Sequence, residues 1–280
     1  MNNKNKLLLT SIGLVVLSGI AATSSTFAWF TTTRTASISY SSATVTTSES
    51  NLLIKYVSSN NAGTGPLDGQ IVANTTDATN SLVLTGVNEI TDISGDGVSF
   101  YKPIWSATAG TASAINEVLV ADGNWVDFTI EITRDNTNPM KVYLGAGTEI
   151  TPVDAGIPAH VQAVKAARLA VIDDSNAVKF FYAPDATDTA HEYLGVGTTA
   201  YGVNGFEVLT SAKPVLNTFT TASTIANANL TGSLIADLPL GTDTVNVTFR
   251  AWLEGVDADA INTAIGGVFK IDLKLYGLEA

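Results

Sequence analysis

Cysteine is absent from this chain, and histidine and methionine occur twice each among its 280 residues. Without cysteine there is no disulfide, no thiol nucleophile and no thiolate metal site. A domain of this kind therefore takes its stability from the size of its core. Zinc-hydrolase chemistry needs two histidines four residues apart with a glutamate between them. Glu192 follows His191, but Gly195 stands where the second histidine belongs, and His160 has no such partner either. Both read as lone polar histidines in loops. There is no Gly-x-Ser-x-Gly elbow and no Gly-x4-Gly-Lys phosphate loop. Gly145-Ala146-Gly147 and Gly195-Val196-Gly197 lack the third glycine and the following helix of a dinucleotide site, so both read as turns. These absences point away from an enzyme.

Positive charge is also scarce. Fourteen Lys and Arg stand against 26 Asp and Glu, a net charge of −12 that repels nucleic acid and anionic lipid head groups. Acidity alone can signal disorder, but 45% of the chain is hydrophobic, enough to bury a core. The polar residues are mostly Thr, Ser and Asn, which favour strand surfaces and turns over helices.

The first 28 residues have the pattern of an export signal. Lys4 and Lys6 come first, no acid occurs before Glu49, and residues 7–22 form an apolar stretch broken by Ser, Thr and Gly. Thr26 and Ala28 occupy the −3 and −1 places of a cleavage after Ala28. The alternative is a retained anchor. The stretch is short for a span of about 20 apolar residues, and Arg34 stands alone after it. Cleavage removes two basic residues and no acid, leaving 12 against 26 and a net charge of −14.

Alternation with a period near two dominates the rest of the chain. Residues 36–45, 51–57, 81–87, 98–105 and 125–133 show it, the last as Trp-Val-Asp-Phe-Thr-Ile-Glu-Ile-Thr. There Val126, Phe128, Ile130 and Ile132 share one face, as in a half-buried strand. Further strands are expected at 140–144, 167–172, 178–182, 214–220, 245–253 and 268–276. Turn signals such as Gly95-Asp96-Gly97, Ala121-Asp122-Gly123-Asn124 and Ala183-Pro184-Asp185 separate them. Two segments read as short helices: 157–166 after Pro158, and 257–265 between Asp257 and Gly266-Gly267. The expected fold is all-β, an antiparallel jelly-roll-like sandwich in one domain with one or two short helices.

Calcium is the one cofactor to weigh. Asp92, Ser94, Asp96 and Gly97 match positions 1, 3, 5 and 6 of a calcium loop, but Pro103 replaces the closing Glu. Asp-Gly pairs are also ordinary hairpin chemistry. A second acidic group, Glu254, Asp257 and Asp259, is denser, and Asp173-Asp174 could approach it in the fold. Its alternative reading is a helix N-terminus that favours negative charge.

Three stretches together carry a family resemblance. Ala22-Thr23-Ser24-Ser25-Thr26-Phe27-Ala28-Trp29-Phe30-Thr31 resembles the region processed by SipW-type signal peptidases, which serve the TasA/camelysin family of Firmicute matrix proteins. Residues 125–144, a strand, an Asn-rich turn and a strand, are similar to that family's central hairpin. Arg250-Ala251-Trp252-Leu253-Glu254-Gly255-Val256-Asp257-Ala258-Asp259-Ala260 is similar to its Trp-x-Glu-Gly-x-Asp motif.

The resemblance implies a jelly-roll subunit that polymerises into extracellular fibre or biofilm matrix by donating an N-terminal strand, with itself or related matrix subunits as partners. Residues 29–50 would hold that strand, with Trp29, Phe30, Ile38 and Tyr40 as assembly residues, and 51–280 the sandwich. The alternative for the strand is pairing within its own subunit. Thr31-Thr32-Thr33-Arg34 departs from the family's acidic run, and there are inserts around 60–80 and 185–205. The protease activity described for camelysins is not carried over, because its motif is missing. The rival function is a monomeric cell-surface adhesion or carbohydrate-binding domain, with an aromatic groove built from residues such as Trp105, Trp125 or Tyr201; a secreted hydrolase would need a catalytic constellation that is not there.

Overall fold

The alternation read in the sequence becomes the burial pattern of the strands Val126–Arg134 and Val268–Glu279 in a computed structural model. It describes residues 35–47, 52–59, 71–72, 88–105, 112–119, 124–134, 138–197, 205–219 and 233–279. In chain order the strands are β1 (Thr35–Thr47), β2 (Leu52–Ser59), β3 (Ile71–Val72), β4 (Asn88–Gly95), β5 (Phe100–Trp105), β6 (Ala112–Val118), β7 (Val126–Arg134), β8 (Met140–Leu144) and β9 (Glu149–Pro152). After the helix α1 (Pro158–Ala166) come β10 (Ala167–Ile172), β11 (Val178–Tyr182), β12 (Glu192–Val196), β13 (Phe206–Thr210), β14 (Val215–Leu216), β15 (Leu234–Leu238) and β16 (Thr244–Glu254). A 3₁₀ turn, Asn262–Ala264, precedes β17 (Val268–Glu279). The fold is all-β.

Two sheets face each other. One runs β15-β8-β17-β1-β4, with β9 also against β17; the other runs β3-β2-β7-β16-β10-β11-β14. In β17, Phe269, Ile271, Leu273 and Leu275 are buried while the residues between them are half-exposed. They meet Phe128, Ile130, Leu169, Val171, Phe249 and others of the second sheet in the main core. Most pairs are antiparallel. Among the described residues three are parallel: β1 with β17, β4 with β16, and β11 with β14.

β4 ties the layers together. Its first residues pair with β1, and Asp92 and Ile93 then pair with Leu253 and Glu254 of β16. The β5–β6 hairpin continues from it and covers the outer face of the second sheet, where Phe100, Trp125, Phe181 and Trp252 form a second core. β10 is therefore buried along its whole length.

Three local expectations are corrected. Residues 125–144 do not form a hairpin: β7 pairs with β2 and β16, whereas β8 pairs with β15 and β17, so the segment arches from one sheet to the other. Residues 257–265 form turns and the 3₁₀ turn rather than an α-helix. Gly195 and Val196 lie in β12, paired with β13, so that glycine pair is not a turn, whereas Gly145–Thr148 is one. α1 is where it was expected, with Pro158 in its first turn. The strand expected at 81–87 lies outside the described residues, as do the export signal, Ala28, Trp29 and Phe30.

Candidate functional site

The Trp-x-Glu spacing has a simple strand logic. Residues two apart on β16 point to the same side, so Trp252 and Glu254 lie together while Leu253 enters the main core. The Trp252 indole N–H donates to Glu254 Oε2 at 3.0 Å, and the Val256 N–H donates to Oε1 at 3.3 Å. The Ser94 hydroxyl is a third partner. That hydroxyl in turn accepts the Leu194 N–H at 2.7 Å. Glu254 is thus a buried knot joining β16, β4 and β12. Burial pushes its carboxyl up to about 7, against the pull of these donors and of Arg168.

Arg168, on β10 opposite Trp252, supplies the balancing charge. Its side chain is 4% exposed. Nη1 donates to the carbonyls of Lys165 (3.2 Å) and Ala167 (2.9 Å) at the C-terminal end of α1, where a cation is favoured. Nη2 donates to Asp188 Oδ2 at 2.7 Å and to Asp257 Oδ2. Burial raises Asp188 to about 6, with Arg168 pulling it down and Asp257 and Asp185 pushing it up. Asp257 Oδ1 also accepts the Asp259 N–H at 2.7 Å. Asp259 meets Gln162 and Lys165 of α1, at 3.1 and 3.8 Å. A cleft of about 310 Å³ opens between the loop after β11 and the end of β16, lined by Arg168, Asp188, Glu254, Asp257 and Asp259 among others.

His191 lies in the loop just before β12, as expected from sequence, but it is not a solvated polar residue there. It is fully buried, its ring 4.1 Å from that of Phe181 and 5.7 Å from Trp252. Nε2 lies 2.7 Å from the Gly95 carbonyl and therefore carries the proton. Burial lowers its pKa to about 3, so the ring is neutral and its 3.9 Å approach to Glu254 is not an ion pair. His160, also expected in a loop, sits instead half-buried on α1.

The sequence-derived acidic groups separate accordingly. Glu254, Asp257 and Asp259 come together around α1 and β10. Asp173 does not join them: it follows Ile172, which pairs with Thr248, so it lies near the far end of β16 from Glu254. Asp188 takes that place, and sequence reading missed it because only the fold brings the loop after β11 to Arg168. Asp96 caps the β4–β5 turn, accepting the Val98 and Ser99 N–H groups at 2.8 and 2.7 Å, and Asp92 pairs with Leu253. Among the described residues no group of three or more His, Asp or Glu is placed to hold a metal ion.

The second candidate region is the seat of β1. This strand lies between β17 and β4, with Ile38 in register with Phe269 and Tyr40 with Ile271. A bulge follows Tyr40. The strand thus pairs within its own chain. No family model matches this chain, and no curated protein matches it significantly.

Proposed function

We propose that this chain is a structural subunit of an extracellular surface fibre or biofilm matrix, exported through its N-terminal signal and assembled by donation of β1. The observation that carries this reading is the placement of β1. It is the first described strand, it is seated between two others by backbone pairing, and it connects to β2 in the opposite sheet through residues 48–51 alone. A second copy's β1 could make the same bonds in the same seat. Such head-to-tail exchange builds open filaments rather than closed dimers, and a short hinge favours exchange. Its partners would be other copies or related matrix subunits, with a signal peptidase acting during export. No catalytic role is assigned.

The test is negative-stain microscopy of the chain from Trp29 onward beside a chain beginning at Asn51. Filaments from the longer chain alone support donation. Discrete particles from both, at high concentration and with calcium present, overturn it.

The self-paired β1 favours a second reading, a monomeric surface-adhesion or carbohydrate-binding domain. Its aromatic groove cannot include Trp125, which is 4% exposed and stacked on Phe100 at 4.7 Å. The side chains of Trp105 and Tyr201 lie outside the described residues. Binding on a glycan array, with no filaments, would select this reading.

A further inference from the structure

Large aliphatic side chains are left exposed at one end of the sandwich. Val153 is 53% exposed, Ile265 46%, Ile157 41%, Ile261 38% and Val161 36%. They sit on three segments that pack together: the link from β9 into α1, α1 itself, and the 3₁₀ turn before β17. Ile157 and Val161 are four apart and share one face of the helix. The other face closes on Gly267, where an added Cβ would lie 2.5 Å from that of Ala163. Solvated aliphatic surface of this kind marks a contact site when its members are grouped.

β1 begins at this same end. It runs parallel to β17 with Ser37 opposite Val268, and the Val153 N–H donates to the Val268 carbonyl at 3.1 Å on the other side of β17. Two strand spacings, about 10 Å, therefore separate the start of β1 from Val153. The residues just before it are Trp29-Phe30-Thr31-Thr32-Thr33-Arg34. Six residues reach up to about 20 Å, so an aromatic pair is tethered within range of an aliphatic surface that has nothing else on it among the described residues.

We propose that Trp29 and Phe30 dock on this surface whenever β1 fills its seat. This deepens the strand-donation reading: in a fibre the aromatics come from the neighbouring copy, and in a self-paired chain from the same one. The docking adds to the backbone pairing of β1: the strand's own sequence is largely Thr, Ser and Ala, and two buried aromatic rings would add an apolar anchor.

The chain has no cysteine of its own, which makes disulfide trapping clean. The full-length chain is produced by secretion with Phe30→Cys and Val161→Cys, oxidised, and run without reductant. A high yield is expected, cut several-fold by Ile265→Asp elsewhere on the surface. Acrylamide quenching of Trp29, obtained by difference against Trp29→Phe, is expected to rise with Ile265→Asp while thermal unfolding stays cooperative, the melting temperature falling by a few degrees as the anchor is lost. A bond within one chain and a ladder of linked chains both support docking. The first without the second retires the fibre reading alone. A yield and a quenching that Ile265→Asp does not move would show that the tether merely brings the residues into collision, and overturn the docking.

Discussion

Glu254 and Arg168 are opposite charges held in a space where neither could stand alone. Arg168 spends its Nη groups on two carbonyls and two aspartates, and Glu254 takes three donors, so each charge is answered locally. Burial still dominates for Glu254 and Asp188, whose pKa values rise to about 7 and about 6. A carboxyl with a raised folded pKa binds more protons folded than unfolded. Its contribution is complete below the unfolded value and is lost as pH rises through the folded one. Stability should therefore increase as pH falls from 8 to 5, with Glu254 acting mainly between 7 and 4.5 and Asp188 between 6 and 3.8. The Glu254 part amounts to about 3 kcal/mol over the full range. Glu254→Gln should flatten the upper part and leave the Asp188 part in place. Urea unfolding across this pH range measures it, and stability that falls steadily from pH 8 to 6 in the unmodified protein would refute the assignment.

Elements carry their own tests. The β4–β5 turn depends on Gly97, whose φ of 88° disfavours any side chain and whose added Cβ would meet Val178, Phe181 and Ala170 at 3.0–3.3 Å. Gly97→Ala is expected to cost about 1–3 kcal/mol in denaturant unfolding. Calcium is tested at the same level. Asp96 is occupied with the turn's own N–H groups, and the Arg168 guanidinium already sits between Asp188 and Asp257. A chelator should therefore leave the melting temperature unchanged. A rise of several degrees with millimolar calcium would restore the cation reading of Asp92, Asp96, Glu254, Asp257 or Asp259. The strands most legible in the sequence were those with one clean apolar face or a continuous apolar run, such as β7, β10, β11, β16 and β17. β12 was lost because Gly195 reads as a turn, yet there it allows close approach, an added Cβ falling 2.7 Å from Leu209. β4 and β6 carry mixed sequences, Asn-Glu-Ile-Thr-Asp-Ile-Ser-Gly and Ala-Ser-Ala-Ile-Asn-Glu-Val, because each serves more than one neighbour or only an edge. Residues 257–265 read as a capped helix from Asp257 at the start and Gly266-Gly267 at the end, but Asp257 is committed to Arg168 and to the Asp259 N–H, which fixes a turn. Nothing in local spacing could show that Arg168, Asp188 and Asp257 meet.

At the scale of the whole molecule the question is whether β1 is a fixed part or a removable one. The strand has no charged residue, although the chain carries a net charge of −12. The self-repulsion of acidic subunits therefore opposes their approach without weakening the strand's own pairing, and salt should speed assembly while leaving strand binding nearly unchanged. Its parallel ladder with β17 is the kind of pairing that is slightly less stable per residue. These features suit a strand that can leave and be replaced. A chain beginning at Asn51 has an empty seat beside β17, and a synthetic peptide of residues 35–47 should fill it. At 100-fold over its Kd the peptide stabilises by about 2.7 kcal/mol, roughly 5–10 °C in melting temperature for a domain of this size. The same peptide with Ile38→Asp and Tyr40→Asp should give no shift, since those positions register with Phe269 and Ile271. If the shorter chain is unfolded alone, the unmodified peptide should restore a cooperative transition. A folded shorter chain that ignores the peptide would mean that the seat closes once vacated, and strand exchange could not then build a fibre.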